Sequence, residues 1–406
     1  MSAPVARTVN NNPTTPLTAV LMLTGLCSIG TGVVWNGVPF IAEHDFAFSQ
    51  LATMGLSFFL GVMYIAVAFT SARFLRWVQP ICSARTLLVT IVLVQAVVCL
   101  GPWLVADAWM LWFVTGATSM LSALLWPVVE AYLAAGRHGR AMRHAIGWWN
   151  VVWTSSVAIA LICMAPLMGE EARTARYAII ALGALNALAA LAIIWFPRDP
   201  ADHHEHDAQL HVGRGYPKLL AAARVLLPLS YVLLALISPL MPYRLESLEV
   251  VSTGKTPLTA TWMVARVIII IIMWRLHVWQ GRGSVLLAAG IAISAGFVMI
   301  VLAPNMAMMV LGLSLFGIGQ GAVYFAAIYY AMAVGRAQVD ASGKHEGLIG
   351  IGYAIGPLIG MGGILLARNI DGIAAPHMII AIAMIVIVAS GWYAVHGYRK
   401  ATGSGE

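Results

Sequence analysis

Twelve apolar segments, each long enough to cross a lipid bilayer, limit the folds open to this chain more than any other feature. The runs are Leu17–Ala42, Gln50–Ala72, Thr86–Val105, Trp109–Ala135, Ala145–Met168, Tyr177–Pro197, Leu219–Pro242, Leu258–Trp274, Ser284–Ala303, Met306–Val334, Gly347–Ala367 and Ala374–Val395. A helix of about 20 apolar residues spans the hydrocarbon core. Barrel strands would be short and alternating, which these runs are not. The sequence therefore predicts an all-α membrane protein with 12 transmembrane helices.

Composition supports a lipid environment and argues against a nucleic-acid partner. Hydrophobic residues make up 61% of the chain and charged residues only 10%, whereas soluble domains carry about 25% charged residues. A soluble core of this chain length has too little interior for so much apolar surface. The net charge is +7, but the basic residues stand singly between apolar runs and form no stripe on a polar face. The lipid bilayer is the expected partner.

A polar stretch divides the spans into six and six. We predict an N-terminal six-helix bundle at 1–197, a linker at 198–217 and a C-terminal six-helix bundle at 218–406. The linker contains four histidines, at His203, His204, His206 and His211. Clusters of this kind bind zinc or nickel weakly, but a linker supplies no fixed ligand geometry. We therefore predict no metal site, and no cofactor.

Two further features bear on processing and redox chemistry. Cys27, Cys82, Cys99 and Cys163 have no metal-ligand or redox spacing, and three of them lie inside apolar runs, so we interpret them as small apolar side chains. The polar segment Met1–Pro16 carries one basic residue, and the apolar run after it is longer than the core of a signal peptide. That run is therefore predicted to be a retained first span.

The distribution of Lys and Arg predicts the orientation in the membrane. With an even number of spans, both termini share one side, which would hold sixteen of these residues against five on the other. Lys and Arg favour cytoplasmic loops. The termini and the linker are therefore predicted to be cytoplasmic, in a plasma or inner membrane.

The two halves resemble each other at corresponding spans. Span 4 and its loop are GATSMLSALLWPVVEAYLAAGRHGR from Gly116, and span 10 is GIGQGAVYFAAIYYAMAVGR from Gly317. Both run from a glycine through small and aromatic residues to a Gly-Arg pair. Parallel six-helix repeats characterise one large class of transporters.

With this architecture the chain resembles the major facilitator superfamily over nearly its whole length. The loop TSARFLRWVQPICSART (Thr70–Thr86) keeps three arginines of the family's GxLaDrxGrr pattern but lacks its aspartate and glycines. AIGPLIGMGG (Ala354–Gly363) is similar to the antiporter motif GxxxGPxxGG, although it lies in span 11 instead of span 5. PVVEAYLAAGRHGR at the end of span 4 is similar to the Glu-then-Arg arrangement of sugar porters. The resemblance implies alternating access around a substrate site near the bilayer midplane.

Arg266 is the strongest candidate for a substrate-binding residue. It lies near the middle of an apolar span, where a charge costs about 2.5–3.5 kcal/mol on insertion scales. Glu246 and Glu249 fall in an outer loop and Glu346 at an inner end, so no carboxylate of the second half is expected at its depth. A planar guanidinium grips an anion bidentately. Bonding to helix carbonyls, or to an acid of the other half, is the structural alternative.

Other polar and aromatic side chains inside the spans are candidates for the same site. Arg224 lies one to two turns inside span 7, where it joins Arg266 or extends back to the interface. The remaining predicted substrate-binding residues are Trp35 and Asn36 in span 1, Asn150 in span 5, and Gln320 and Tyr324 in span 10. Deep amides need partners or a cavity, whereas tryptophans near span ends are also typical of interfacial belts.

Two further groups of residues are assigned to coupling and to packing. Glu130, about 8 Å from the inner end of span 4, is predicted to gate through a nearby arginine such as Arg137, or else to carry a proton. Glu43 and Asp45 are expected to be solvated loop charges at the outer end of span 1, with attraction of a coupling ion as the alternative. In span 11, Gly356 and Gly360 are predicted to pack helices closely. Pro357 between them allows bending.

These features together predict a secondary transporter for a small organic solute, with anionic character favoured by Arg266. A coupling ion is expected, with the proton as the usual choice in such proteins, and the shortage of deep carboxylates leaves exchange or uniport open. Enzymatic activity is not expected. The sequence shows no P-loop and no nucleotide-binding domain, so ATP is not expected to drive transport from this chain. An exporter of amphipathic compounds is the first alternative, supported by 20 Met and 14 Trp. A polytopic membrane enzyme or sensor is the second, although only the linker clusters His with acidic residues.

The predicted orientation is testable by labelling. An impermeant maleimide added outside intact cells should modify a cysteine introduced beside Glu170, because that loop is predicted to be external. A cysteine introduced beside His206 should react only after the cells are opened. Labelling of both positions from outside, or of His206 alone, would contradict the twelve-span topology.

Overall fold

The computed structural model describes residues 13–137, 139–169, 174–201, 215–334 and 339–403. In this part of the chain the regular structure is entirely helical, and 12 helices are long and apolar enough to cross a membrane. The predicted all-α fold with 12 spans is confirmed. The linker histidines lie outside the described residues.

The spans are named here by number, and three of them contain a second helical segment. Their bounds are Leu17–Thr31 with a π-helical turn Gly32–Gly37 and Val38–Phe46 (span 1), Gln50–Val78 (2), Ala84–Val98 and Gly101–Leu104 (3), Ala108–Ala134 (4), Gly139–Cys163 (5), Tyr177–Ala192 (6), Tyr216–Glu246 (7), Ser252–Thr259 and Thr261–Arg275 (8), Gly283–Leu302 (9), Met306–Val334 (10), Val339–Arg368 (11) and Ala375–Gly403 (12). Short 3-10 turns, Ala165–Met168 and Ile193–Trp195, follow spans 5 and 6.

Several helices extend beyond their apolar runs, and this moves charged residues from loops into the bundle. Span 1 continues to Phe46, span 8 begins at Ser252 and span 11 begins at Val339. A helix continues as long as its i→i−4 hydrogen bonds do, whereas hydropathy marks only where apolar sequence starts. Glu43, Lys255 and Glu346 therefore belong to helices.

Spans of the two halves meet along three main contacts. Span 2 packs against span 11, span 5 against span 8, and span 1 against span 7. Span 7 lies deepest, in contact with spans 9 to 12, and 78% of its apolar window is buried. We call the side where span 1 begins and span 12 ends the terminal side, and the opposite side the far side.

Glycines of span 11 allow the backbones of neighbouring helices to approach. A Cβ atom on Gly356 would lie 2.3 Å from the Val232 carbonyl oxygen of span 7. On Gly360 it would meet the flexible end of Met54 in span 2, at 2.6 Å. Gly362 has only one atom near such a Cβ, at 4.0 Å. Gly356 therefore sits at the tightest of these three approaches, and Pro357 follows it inside the helix.

Two single-methyl substitutions in span 11 should have opposite effects on stability. Gly356→Ala places its methyl group against the span 7 backbone, which cannot yield as a side chain does, and overpacking costs about 1–3 kcal/mol. Gly362→Ala, the matched control, gains helix propensity of roughly 1 kcal/mol without a clash. Thermal melting of the purified proteins should show the first below the wild type and the second at or above it. Equal melting of both variants would show that spans 7 and 11 are not tightly packed.

Candidate functional site

Arg266 lies in the middle of span 8, fully buried between the two halves. Its Cζ atom is 4.2 Å from the ring centroid of Trp153 in span 5 and 4.4 Å from that of Tyr324 in span 10. The two rings are nearly parallel, at 9°, with centroids 5.6 Å apart. Aromatic faces attract a cation, most strongly where water is absent. The positive charge of Arg266 therefore forms a cation–π contact with one ring from each half.

The guanidinium of Arg266 forms no hydrogen bond of ordinary geometry with the described residues. Its Nε, Nη1 and Nη2 atoms, and both amide atoms of Gln320, are buried without a hydrogen-bond partner. The Tyr231 hydroxyl lies within interaction range of both side chains but forms no bond of ordinary geometry with them. Among the described side chains no carboxylate lies within 4.0 Å of Arg266. Its donors face the bundle interior unused.

The small residue Gly321 makes room for this arginine. A Cβ atom at Gly321 would lie 2.9 Å from the Arg266 Cγ atom and 2.6 Å from Ile269. The lack of a side chain at Gly321 thus allows the aliphatic part of the Arg266 side chain to pack directly against the backbone of span 10. The neighbouring Gln320 is fully buried at the same level.

A cluster of aromatic rings from both halves lies beside Arg266. Trp35 is 3.9 Å from Tyr353 and 5.1 Å from Tyr64, between ring centroids. Tyr231 is 5.3 Å from Tyr353 and 6.3 Å from Tyr324. Spans 1, 2, 7, 10 and 11 therefore meet through rings, and Trp153 of span 5 completes the cluster through Tyr324.

These rings enclose a central cavity of only ≈ 40 Å³. It is lined by Thr31, Trp35, Tyr64, Trp126, Glu130, Trp149, Trp153, Tyr231, Tyr324, Glu346, Ile349 and Tyr353. A single water takes about 30 Å³ of liquid volume, and organic ligands occupy pockets of about 300–1,000 Å³. The central cavity of this structure is therefore too small for an organic solute.

Two carboxylates line the cavity. Glu346 begins the apolar part of span 11, at the inner end where it was expected, but its side chain is buried and lines the cavity, which the sequence did not predict. The Tyr64 hydroxyl of span 2 donates a hydrogen bond to the Glu346 carboxylate. This bond joins the two halves on the terminal side of the cavity. Glu130 lines the same cavity.

The predicted site residues separate into three groups. Trp35, Tyr324 and Glu130 line the cavity, and Arg266 and Gln320 adjoin it. Asn36 and Asn150 are buried, and the Asn150 Nδ2 atom donates to the Ile146 carbonyl while its Oδ1 atom has no partner. Arg224 is exposed on span 7 and does not join Arg266.

Arg137 holds the end of span 4. Its Nη1 atom donates to the carbonyls of Tyr132 and Leu133, and its Nη2 atom donates to the Thr15 carbonyl. Burial lowers the pKa of Arg137 below its usual value. These bonds fasten the chain before span 1 to the exit of span 4.

On the far side, Glu43 and Asp45 are not the solvated charges that we expected. Glu43 lies 3.3 Å from the ammonium of Lys255 in the other half, and Lys255 is 4% exposed. The Asp45 carboxylate is buried and accepts hydrogen bonds from the backbone N–H groups of Ala175 and Arg176. The prediction was wrong because the helix continues to Phe46 and the chain before span 6 covers Asp45. Lys255 and Glu43 close the far side across the halves.

Sequence reasoning missed Tyr64, Tyr231, Tyr353 and Glu346 as site residues. The tyrosines stand in apolar spans and look like core or interfacial aromatics. Glu346 lies just outside the apolar run of span 11. Apart from this boundary, no local signal marks these four residues. Among the described residues no group of three or more His, Cys, Asp or Glu is placed to hold a metal ion.

The comparison with known families decides the classification. The Major Facilitator Superfamily sequence model matches residues 20–361. The chain belongs to this superfamily, as the resemblance had indicated. Among curated proteins, none matches the chain significantly.

Solved superfamily structures share the fold at low sequence identity. A point mutant of the nucleoside transporter NupG superposes with a TM-score of 0.66 at 13% identity, covering 96% of this chain and 100% of that one. A bacterial homologue of the human lysosomal transporter Spinster, inward-facing and unoccupied, gives 0.65 at 16%, with 95% and 97% covered. The human organic anion transporter MFSD10 (TETRAN) gives 0.62 at 13%, with 93% and 98% covered. At these identities the likeness shows the transporter fold alone.

Proposed function

We propose that this superfamily member transports a small organic anion by alternating access, and that Arg266 is its anion-binding group. The observation that carries the proposal is a fully buried guanidinium whose three nitrogens meet no acceptor at ordinary hydrogen-bond geometry among the described residues. Burying a charge without hydrogen bonds is costly, and two aromatic faces return only about 2 kcal/mol each when water is excluded. An anion would supply the missing acceptors as a bidentate pair.

The position of Arg266 suits a transport cycle. Trp153 belongs to the first half, whereas Tyr324 and Arg266 belong to the second, so a bound anion engages both halves at once. Such a site at the interface between repeats is the arrangement that alternating access requires. The far side is closed here by Lys255 and Glu43. Opening of either side would have to widen the ≈ 40 Å³ cavity.

The aromatic cluster indicates the body of the substrate. Trp35, Tyr64, Tyr231 and Tyr353 offer ring faces and edges for stacking against a planar group. An aromatic or otherwise planar carboxylate, sulfonate or phosphate fits this lining better than a compact inorganic ion. NupG and MFSD10 are named for nucleosides and organic anions, cargoes that are planar or anionic. The likeness to these two transporters supports the proposal less strongly than the environment of Arg266 does.

Protons are the proposed coupling ion, and Glu346 is the proposed carrier. The carboxylate is buried and bound by Tyr64 of the other half. Protonation would change this contact between spans 2 and 11, which is the kind of link that an alternating-access cycle must make and break. Glu130, the carboxylate predicted for this role, lines the same cavity and is the competing candidate. We further propose that the terminal side is cytosolic, because it carries most of the Lys and Arg.

Export of amphipathic compounds is the second candidate function. The aromatic and apolar lining of the cavity favours it, because such a surface binds uncharged or cationic ring compounds as well. The two candidates differ in what Arg266 does. An amphipathic exporter has no need of an anion partner at this residue.

Substitution of Arg266 tests the proposal directly. Wild-type protein in proteoliposomes should accumulate at least one of benzoate, benzenesulfonate and phenyl phosphate, and should not accumulate benzylamine. Arg266→Ala should weaken anion binding by about 2 kcal/mol or more, roughly 30-fold in Kd. Arg266→Lys should fall between the two, because the charge remains and the fork is lost. Binding by calorimetry and uptake of the labelled anion measure both effects.

The matched control is Arg224→Ala, which removes an exposed arginine from the neighbouring span 7. It should bind and transport like the wild type. If Arg266→Ala melts well below the wild type and neutralising Glu130 or Glu346 restores it, Arg266 is a structural charge and not a binding group. Preference for benzylamine over every anion would favour the amphipathic exporter.

Glu346→Gln should uncouple transport from the proton gradient. The variant keeps the shape of the side chain and a contact with Tyr64 but cannot release a proton. We expect anion exchange between two loaded compartments to persist while accumulation driven by a pH gradient falls at least about tenfold. Glu249→Gln, an exposed acid beyond span 7, is the control and should accumulate normally. Loss in Glu130→Gln but not in Glu346→Gln would transfer the role to Glu130.

A further inference from the structure

A second and larger cavity lies on the terminal side between the halves. Its volume is ≈ 500 Å³, and its walls come from span 5 of the first half and from spans 8 and 10 and the chain after span 8 of the second. We call it the cationic cleft. Arg140, Arg143 and Arg275 line it together with His144 and His277, and none of its lining residues is acidic.

The remaining wall of the cationic cleft is largely aromatic. The Trp148 and Trp274 rings are 5.3 Å apart, and the Trp279 and Tyr329 rings 5.0 Å apart, between centroids. The Arg275 Cζ atom lies 5.1 Å from the Trp274 ring centroid. Positive charge and ring faces thus occur together, as they do around Arg266, but here in a space that is open to an organic molecule.

The cleft and the Arg266 site are built on the same three helices. Spans 5, 8 and 10 carry Trp153, Arg266 and Tyr324 at the centre and the cleft residues nearer the terminal side. Trp274 follows Arg266 by eight residues, roughly 12 Å along a helix. Phe325, which lines the cleft, is the next residue after Tyr324. The two sites therefore lie one above the other along the interface between the halves.

Trp274 of the cleft wall packs against span 5 of the other half. A Cβ atom on Gly147 of span 5 would lie 2.2 Å from two atoms of the Trp274 ring. The ring therefore rests directly on the backbone of the other half. Movement of span 8 away from span 5 would therefore separate this ring from Gly147 and widen the cleft.

We propose that the cationic cleft is a second anion-binding site, which takes aromatic or apolar carboxylates, sulfonates or phosphates from the terminal side and passes them to Arg266. Its role on the route to Arg266 rests on the proposed function, whereas its affinity for anions does not. The volume is within the about 300–1,000 Å³ typical of ligand pockets. In this structure the cleft has room for such a molecule, whereas the central cavity does not.

The charge arrangement is what gives the cleft its selectivity. Three guanidinium groups without a carboxylate among the lining residues leave a positive potential at the cavity mouth. Clefts of one charge sign raise the local concentration and association rate of counter-ions by about 10 to 10³. Phospholipid headgroups and soluble organic anions share this chemistry, so the experiment must separate the two sources.

The test measures the potential and the occupancy with thiol reagents. In a Cys82→Ser, Cys163→Ser background, Gln280→Cys places a thiol in the cleft and Gln79→Cys places a reference thiol on an exposed site of the same side. We expect the rate ratio of the anionic sulfonatoethyl to the cationic trimethylammonioethyl methanethiosulfonate to be about tenfold higher at Gln280→Cys than at the reference. Phenyl phosphate should slow the anionic reagent at Gln280→Cys only.

Charge variants identify the source of the effect. Neutralising Arg140, Arg143 and Arg275 together to Gln should bring the ratio to within about twofold of the reference. The same change at Arg73, Arg76 and Arg198, which are exposed outside the cleft, should leave the rate ratio at Gln280→Cys unchanged. Arg266→Ala should also leave the ratio and the protection unchanged. If Arg266→Ala transported like the wild type, the proposed function would be rejected, but the inference that the cleft binds anions would still stand.

Three results would overturn the inference. Equal ratios at the two thiols would show that the cleft holds no excess potential. Protection that disappears in Arg266→Ala would place the anion at the central site alone. Protection by phosphatidylglycerol in nanodiscs, without any by phenyl phosphate, would assign the cleft to lipid headgroups and remove it from the route of the solute.

Discussion

A guanidinium buried in an apolar bundle without an acceptor is the constraint on which the centre of this protein depends. Arg266 is 0% exposed, and its charge is met by the faces of Trp153 and Tyr324 with the Tyr231 hydroxyl within interaction range. Gly321 gives its stem room, and Gln320 shares its lack of partners. Spans 5, 8 and 10 converge because each supplies one of these elements. A structure that needed only stability would place an apolar residue here, since a buried charge is expensive unless it is paired.

The contacts between the halves are of a kind that a conformational cycle can exchange. The far side is joined by Lys255 and Glu43 and by the Tyr243 hydroxyl on the Phe48 carbonyl, and the terminal side of the cavity by Tyr64 on Glu346. A hydrogen bond contributes only about 0.5–1.5 kcal/mol net when water replaces the partner. Glycines at the contact between spans 2 and 11 let the two helices pack closely. No large side chain has to leave a pocket when these helices separate there. Few strong bonds therefore oppose separation of either side.

The sequence predicts the fold well and the site only in part, for different physical reasons. Lipid imposes a length and an apolar composition on each span, so all twelve were visible. Arg266 was visible because a charge in an apolar run is anomalous. Glu346 was not, because it stands at the edge of an apolar run and its burial comes from packing against the other half. Glu43 was misplaced because its helix continues to Phe46. Tyr64, Tyr231 and Tyr353 meet only through tertiary packing, which the pattern along each separate helix does not encode.

The distribution of charge along the interface gives the proposed cycle its electrostatic logic. The cationic cleft would attract an anion from the terminal side, and Arg266 would neutralise it at the centre, where desolvation is most costly. A proton on Glu346 would remove the charge of that carboxylate on the terminal side of the cavity. A carrier loaded in this way has paired or neutral groups throughout its low-dielectric core, so that closure over the cargo buries no uncompensated charge. The empty carrier lacks that pairing at Arg266, where the two aromatic faces must stand in for the anion.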